Sequence, residues 1–151
     1  MGISKMTFTE RSLLFAKLSS IAYNDNIKEV KSQVKQLGFT TVEFYNKEGA
    51  QAYRFMNKTD LVIACRGTQP SEFNDISADL KALPVVAETI SRVHQGFKEE
   101  VDKVYDSVFA LVEQHHDKPA SKKIWVCGHS LGGAMATIIA NRAERNIDLN
   151  N

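Results

Sequence analysis

The chain has 151 residues, 43% hydrophobic and 25% charged, which is enough apolar material for one ordinary globular core. Its 19 Lys and Arg stand against 18 Asp and Glu, and a net charge of +1 is too weak a field to steer a polyanion, so no nucleic-acid partner is expected. Met1 to Glu10 has no apolar run behind a basic start, and no stretch reaches the ~18 apolar residues of a spanning helix; the expectation is a cytoplasmic or non-classically exported chain.

Thr7 and Glu10 have the spacing of a capping box, and Leu13, Leu14, Ala16, Leu18, Ile21 and Ala22 behind them suit a helix with a broad apolar face that ends near Tyr23-Asn24-Asp25. A second amphipathic helix is written at Ile27, Val30, Val34 and Leu37, with Gly38 where a left-handed cap is expected. Thr41 to Tyr45 and Ala52 to Met56 alternate around Asn46-Lys47-Glu48-Gly49, which predicts a β-hairpin. Leu61 to Cys65 is apolar without alternation, the pattern of a short strand covered on both faces in a largely parallel sheet.

After a polar loop and Pro84, the positions Phe97, Val101, Val104, Tyr105, Val108, Leu111 and Val112 keep helical spacing up to His115-His116. Ile124 to Cys127 is a second apolar strand, and Leu131, Met135, Ile138 and Ile139 mark a helix that begins almost at once after it. Strand, helix, strand, helix with apolar strands predicts an α/β layered architecture, and no repeat, low-complexity tract or internal domain boundary interrupts it. Cys65 and Cys127 each close an apolar run and are expected to be buried free thiols, while Lys122-Lys123 suits a solvated strand edge.

Gly128-His129-Ser130-Leu131-Gly132 lies between the second strand and its helix, which is the context a nucleophile elbow requires. The turn must be tight enough to lift the serine clear of the sheet. Gly128, Gly132 and Gly133 remove side chains where strand and helix crowd each other. Ser130 at the helix N-terminus faces unpaired N–H groups and the positive end of the macrodipole, so the Leu131 N–H is a candidate oxyanion donor. His129 neighbours the serine in sequence but in such a turn points away from it, and is expected to be structural. A second donor comes, in this architecture, from a loop after an earlier strand, and Arg66-Gly67-Thr68 is placed to supply it.

Taken with Leu18-Ser19-Ser20-Ile21-Ala22-Tyr23, Asp75 to Leu80 and Val93-His94-Gln95-Gly96-Phe97, these segments resemble the motifs of the class 3 lipases, the fungal triacylglycerol lipase family, in family order. The resemblance implies an α/β-hydrolase-type sheet with flanking helices, incomplete at its C-terminal side, over residues 1–151. It implies Ser130 as nucleophile, Thr68 and Leu131 as the two backbone oxyanion donors, and Asp79 as a support for the oxyanion-hole side chain; a helix-end surface aspartate is the other account of Asp79. It places a lid over Pro70 to Leu80, although Ile76 stands where a lipase lid often has a large aromatic and a plain surface helix fits equally. His94 supports the strand near the site, and His115 and His116 are expected on the surface, away from Ser130. No metal or organic cofactor is implied.

In α/β-hydrolases an Asp or Glu and then a His follow the serine. Only 21 residues follow Ser130, and no histidine is among them. The expectation is a serine ester hydrolase acting on an ester or lipid, at or away from a lipid surface, whose acid and base lie in a C-terminal half or a complementing chain and which is nearly inactive as these 151 residues alone. A fragment, a truncated product and a split enzyme all satisfy it, and ending here would leave the Ile124 to Cys127 strand with an unpaired apolar edge. The rival from another class is a non-catalytic pseudoenzyme that keeps the half-site as an acyl-binding or interaction surface.

Overall fold

A computed structural model describes residues 2–67, 84–86, 92–116 and 122–149. Helix α1 (Phe8–Ile21) starts on the capping box: the Thr7 hydroxyl accepts from the Glu10 N–H at 3.3 Å, and the Glu10 carboxylate accepts from the Thr7 N–H at 2.8 Å. Its buried stripe is narrower than the composition suggests. Leu14, Leu18 and Ala22 face inward at intervals of four, whereas Leu13 and Ala16 are exposed and Ser19 is buried. One side of the helix meets the sheet, so apolar residues off that line stay in water.

Helix α2 (Ile27–Gln36) is capped by Asn26, whose side chain accepts from the N–H groups of Lys28 and Glu29, and it buries Val30 and Val34. At its far end Gly38 takes φ +89°, and the N–H of Phe39 returns to the Val34 carbonyl at 3.0 Å. Strands β1 (Thr41–Lys47) and β2 (Ala50–Met56) pair from Thr41 opposite Met56 to Lys47 opposite Ala50. The hairpin loop is therefore two residues, Glu48 and Gly49 at φ +51° and +86°, and not the four the sequence suggested.

Strand β3 (Asp60–Cys65) is buried throughout. It runs antiparallel to β2 and parallel to β6 (Lys123–Gly128), giving the order β1-β2-β3-β6. The sheet is thus mixed where a largely parallel one was expected. The short Asn57-Lys58-Thr59 connection, tied by the Asn57 side chain accepting from the N–H groups of Thr59 and Asp60, can only reverse the chain, whereas the route from β3 to β6 passes through a helix and permits parallel pairing. Lys122, expected as a solvated residue, is half-buried and donates to the carbonyls of Asn57 and Lys58. Between β3 and β6 lie a separate antiparallel pair, β4 (Pro84–Val86) with β5 (Arg92–His94), and helix α3 (Gln95–His116); helix α4 (Leu131–Leu149) follows β6.

Alternation along β3 sends side chains to two cores. Val62 and Ala64 join Leu18, Val30, Val34, Phe39, Tyr53 and Phe55 beneath α1 and α2. Leu61, Ile63 and Cys65 join Val101, Val104, Met135 and Ile139 beneath α3 and α4. Helices on both faces explain why β3 has no polar side. At the amino end of the sheet, buried Asp60 accepts from the Ile3 N–H, the Thr59 hydroxyl and the Trp125 indole N–H, joining the N-terminal turn to β6. Cys65 and Cys127 are free and buried, as expected; burial pushes both thiols up, Cys127 to about 11.

Candidate active site

Parallel pairing places Cys65 opposite Gly128, so the segments leaving the carboxyl ends of β3 and β6 begin side by side. That end of an α/β sheet is where ligands bind. The β6 exit turns directly into α4 through Ser130, which holds φ +56° and is exposed. Its carbonyl accepts from the N–H groups of Gly133 at 2.9 Å and Ala134 at 3.3 Å, closing the first turn. Leu131 opens the helix, so its N–H has no carbonyl four residues back within α4 to bond.

Three glycines permit the approach. A Cβ on Gly128 would run into the Gly132 carbonyl, and one on Gly132 would run into the Cys65 carbonyl and lie 2.9 Å from the Gly67 nitrogen. A Cβ on Gly67 would lie 2.6 Å from the His129 carbonyl oxygen. Gly132 therefore serves the contact with the neighbouring strand end as well as the elbow itself. Gly133 is looser, with 3.3 Å to the Gly128 carbonyl oxygen. Gly67, in the segment before the expected donor Thr68, lies directly against the elbow.

His129 turns its ring to Tyr23: the Tyr23 oxygen lies 3.2 Å from Nδ1 and 3.4 Å from the His129 carbonyl oxygen. This agrees with a structural role. Arg66, 7% exposed, forms a two-pronged ion pair with Asp25, and the hydrogen bond and charge of the guanidinium hold the Asp25 carboxyl below the usual carboxylate range. An open cavity of about 1670 Å³ runs along the outer edge of β6 between α1 and α4. Tyr23, His129 and Ser130 line one part of it, Phe15, Thr137 and Asn141 others. Among the described residues no strand pairs with that edge, and no group of three or more His, Cys, Asp or Glu could hold a metal ion.

Of the predicted site residues, Ser130 and Leu131 sit together at the elbow. Thr68, Asp79 and the lid expected over Pro70 to Leu80 lie outside the described residues. So do the side chains of His94, His115 and His116, whose backbones fall in β5 and at the end of α3. The sequence reading passed over Tyr23, Asp25 and Arg66 as contributors, and gave Gly67 no packing role. Tyr23 and Arg66 lay inside segments it had singled out, but nothing along the chain shows that residues 106 positions apart, Tyr23 and His129, meet.

The class 3 lipase family model matches residues 62–148, from β3 through the elbow and most of α4. The chain belongs to the class 3 lipase family. A lipase from Rhizomucor miehei is 33% identical over 93 residues, which are 60% of this chain and 25% of that protein. Among solved structures, the lipase from Rhizopus microsporus var. chinensis superimposes with a TM-score of 0.76 at 18% identity, over 95% of this chain and 54% of that one. A triacylglycerol lipase described as having a serine-protease triad at its catalytic centre superimposes with a TM-score of 0.66 at 22% identity, over 94% of this chain and 58% of that one. The fold is that of these α/β-hydrolases. The chain spans a quarter of the curated relative's length and about half that of the solved lipases.

Proposed function

We propose that the protein is a lipase-like carboxylic ester hydrolase that works through an acyl-enzyme on Ser130. The observation that carries this reading is a left-handed serine at the junction of a parallel strand and a helix, packed through glycine against the loop leaving the neighbouring strand. The Ser130 Oγ attacks the acyl carbonyl and gives its proton to a base. The Leu131 and Thr68 N–H groups take the negative charge on the carbonyl oxygen, with Asp79 steadying the Thr68 side chain. Collapse of this intermediate expels the alcohol, which leaves with the proton, and water then releases the acid by the same steps in reverse order.

The base and its orienting acid, a His and an Asp, belong to polypeptide outside these 151 residues, in keeping with the quarter of the curated relative that the chain spans. No resident cofactor takes part. Triacylglycerols, phospholipids and soluble esters all present the same scissile acyl group, and a lid over Pro70 to Leu80 would govern access to it. A fluorophosphonate, which forms a stable bond to an activated serine, tests the reading. Ser130 of the full-length protein is expected to be labelled, and Ser130→Ala to take no label; an unlabelled but folded full-length protein would turn the assignment to an acyl-binding pseudoenzyme.

A further inference from the structure

We propose that Tyr23 is a positioning residue for acyl transfer, and that the turn Tyr23-Asn24-Asp25 is what holds the loop after β3 against the elbow. The inference rests on the ester-hydrolase reading of Ser130. Helix α1 stops at Ile21, and the three residues of the turn each reach a different segment of the site's frame. Tyr23 reaches the elbow, Asn24 the centre of the sheet, and Asp25 the oxyanion loop.

The Tyr23 hydroxyl is the central contact. It lies within hydrogen-bond distance of both Nδ1 and the carbonyl of His129, and a Cβ on Gly67 would come to 2.5 Å from it, so the same oxygen is in contact with Gly67. One arrangement satisfies both contacts with His129: Nδ1–H donates to the tyrosine oxygen, and the tyrosine O–H donates to the carbonyl. That carbonyl belongs to the peptide unit entering Ser130. Fixing the plane of this peptide fixes where Cα of Ser130 leaves it, and with it the aim of Oγ and of the Leu131 N–H one peptide on.

The other two contacts prevent the turn itself from drifting. The Asn24 carbonyl accepts from the hydroxyl of Tyr53 at 2.9 Å, and Tyr53 is a buried β2 residue stacked on Phe55 at 5.6 Å. Asp25 grips the buried Arg66 guanidinium, one residue before Gly67 and two before Thr68. Movement of the turn would therefore shift both the elbow and the Arg66-Gly67 backbone beside it. Donors aimed at a developing charge lose much of their effect when displaced by less than an ångström. Tyr23 does not need to touch substrate to matter.

The test uses the full-length protein, labelled with a fluorophosphonate and assayed on p-nitrophenyl butyrate. Tyr23→Phe keeps the ring and its edge contact with His129 and removes only the oxygen. It is expected to label about five- to tenfold more slowly, the loss of one well-placed hydrogen bond, with kcat falling by the same factor, KM unchanged and Tm unchanged. Labelling at the wild-type rate, or slowing that merely follows a fall in the folded fraction, overturns the inference. If Tyr23→Phe does not fold, Asp25 decides, because its side chain is 74% exposed and no core depends on it. Asp25→Asn should slow labelling and Asp25→Glu recover most of the rate; no slowing in Asp25→Asn overturns it. A folded wild type that takes no label sinks the ester-hydrolase reading and this inference together, whereas a labelled wild type beside an equally labelled Tyr23→Phe sinks this inference alone.

Discussion

Gly132 has room for a hydrogen and nothing larger, because the carbonyl that ends β3 occupies the place a methyl would take. Gly132→Ala must push β3 and α4 apart, and it is expected to cost about 1–3 kcal/mol by urea denaturation and to abolish fluorophosphonate labelling. The elbow glycines were legible from the motif alone, since a strand-to-helix turn crowds its neighbours whatever the surrounding fold. The partner that Gly132 crowds was not, because Cys65 stands 67 positions earlier and reaches it only through parallel pairing. The Asp25–Arg66 pair was hidden too, because its partners stand 41 positions apart and meet only where the turn after α1 packs against the end of β3. Arg66 holds the Asp25 pKa below its ordinary 3.8, so the pair stabilises the fold above that value and is lost as pH falls through the lower folded one. The difference in Tm between wild type and Asp25→Asn is expected to be constant from about pH 5 to pH 8 and to shrink below about pH 4.

At the scale of elements, boundaries that rest on local chemistry were readable and those set by pairing were not. The capping box and Gly38 fixed the start of α1 and the end of α2 because each acts within one turn of chain. The β1–β2 turn was predicted too long because Asn46 and Lys47 look like loop residues, yet they complete the ladder opposite Gln51 and Ala50. That turn offers a direct check. Two left-handed residues in a two-residue hairpin favour Asn-Gly, and Glu48 holds φ +51° without the compensation asparagine brings. Glu48→Asn should raise stability by about 0.5 kcal/mol, and Gly49→Ala should lower it by about 1 kcal/mol, both read from thermal unfolding. The mixed sheet was missed because an unbroken apolar run reports burial on two faces and says nothing about direction.

For the whole molecule, three layers follow from the two cores that β3 separates, and the α/β order of the elements was enough to expect them. What no stretch of sequence displays is the groove along β6. It exists because α1, from the first 21 residues, and α4, from the last 21, flank the same strand edge. Ile124, Trp125 and Val126 are correspondingly half-buried where every residue of β3 is buried. Ser130 thus lines a space whose walls come from both the first and the last helix of these 151 residues.

The backbone of Ser130 carries one more consequence. A left-handed φ costs a residue with a Cβ roughly 1 kcal/mol that glycine avoids, and the exposed Ser130 side chain returns little packing in exchange. Ser130→Gly should therefore melt at a higher temperature than the wild type while taking no fluorophosphonate at all. Selection for thermal endurance alone would replace this serine by glycine; on the ester-hydrolase reading, its hydroxyl is kept for chemistry at the expense of stability.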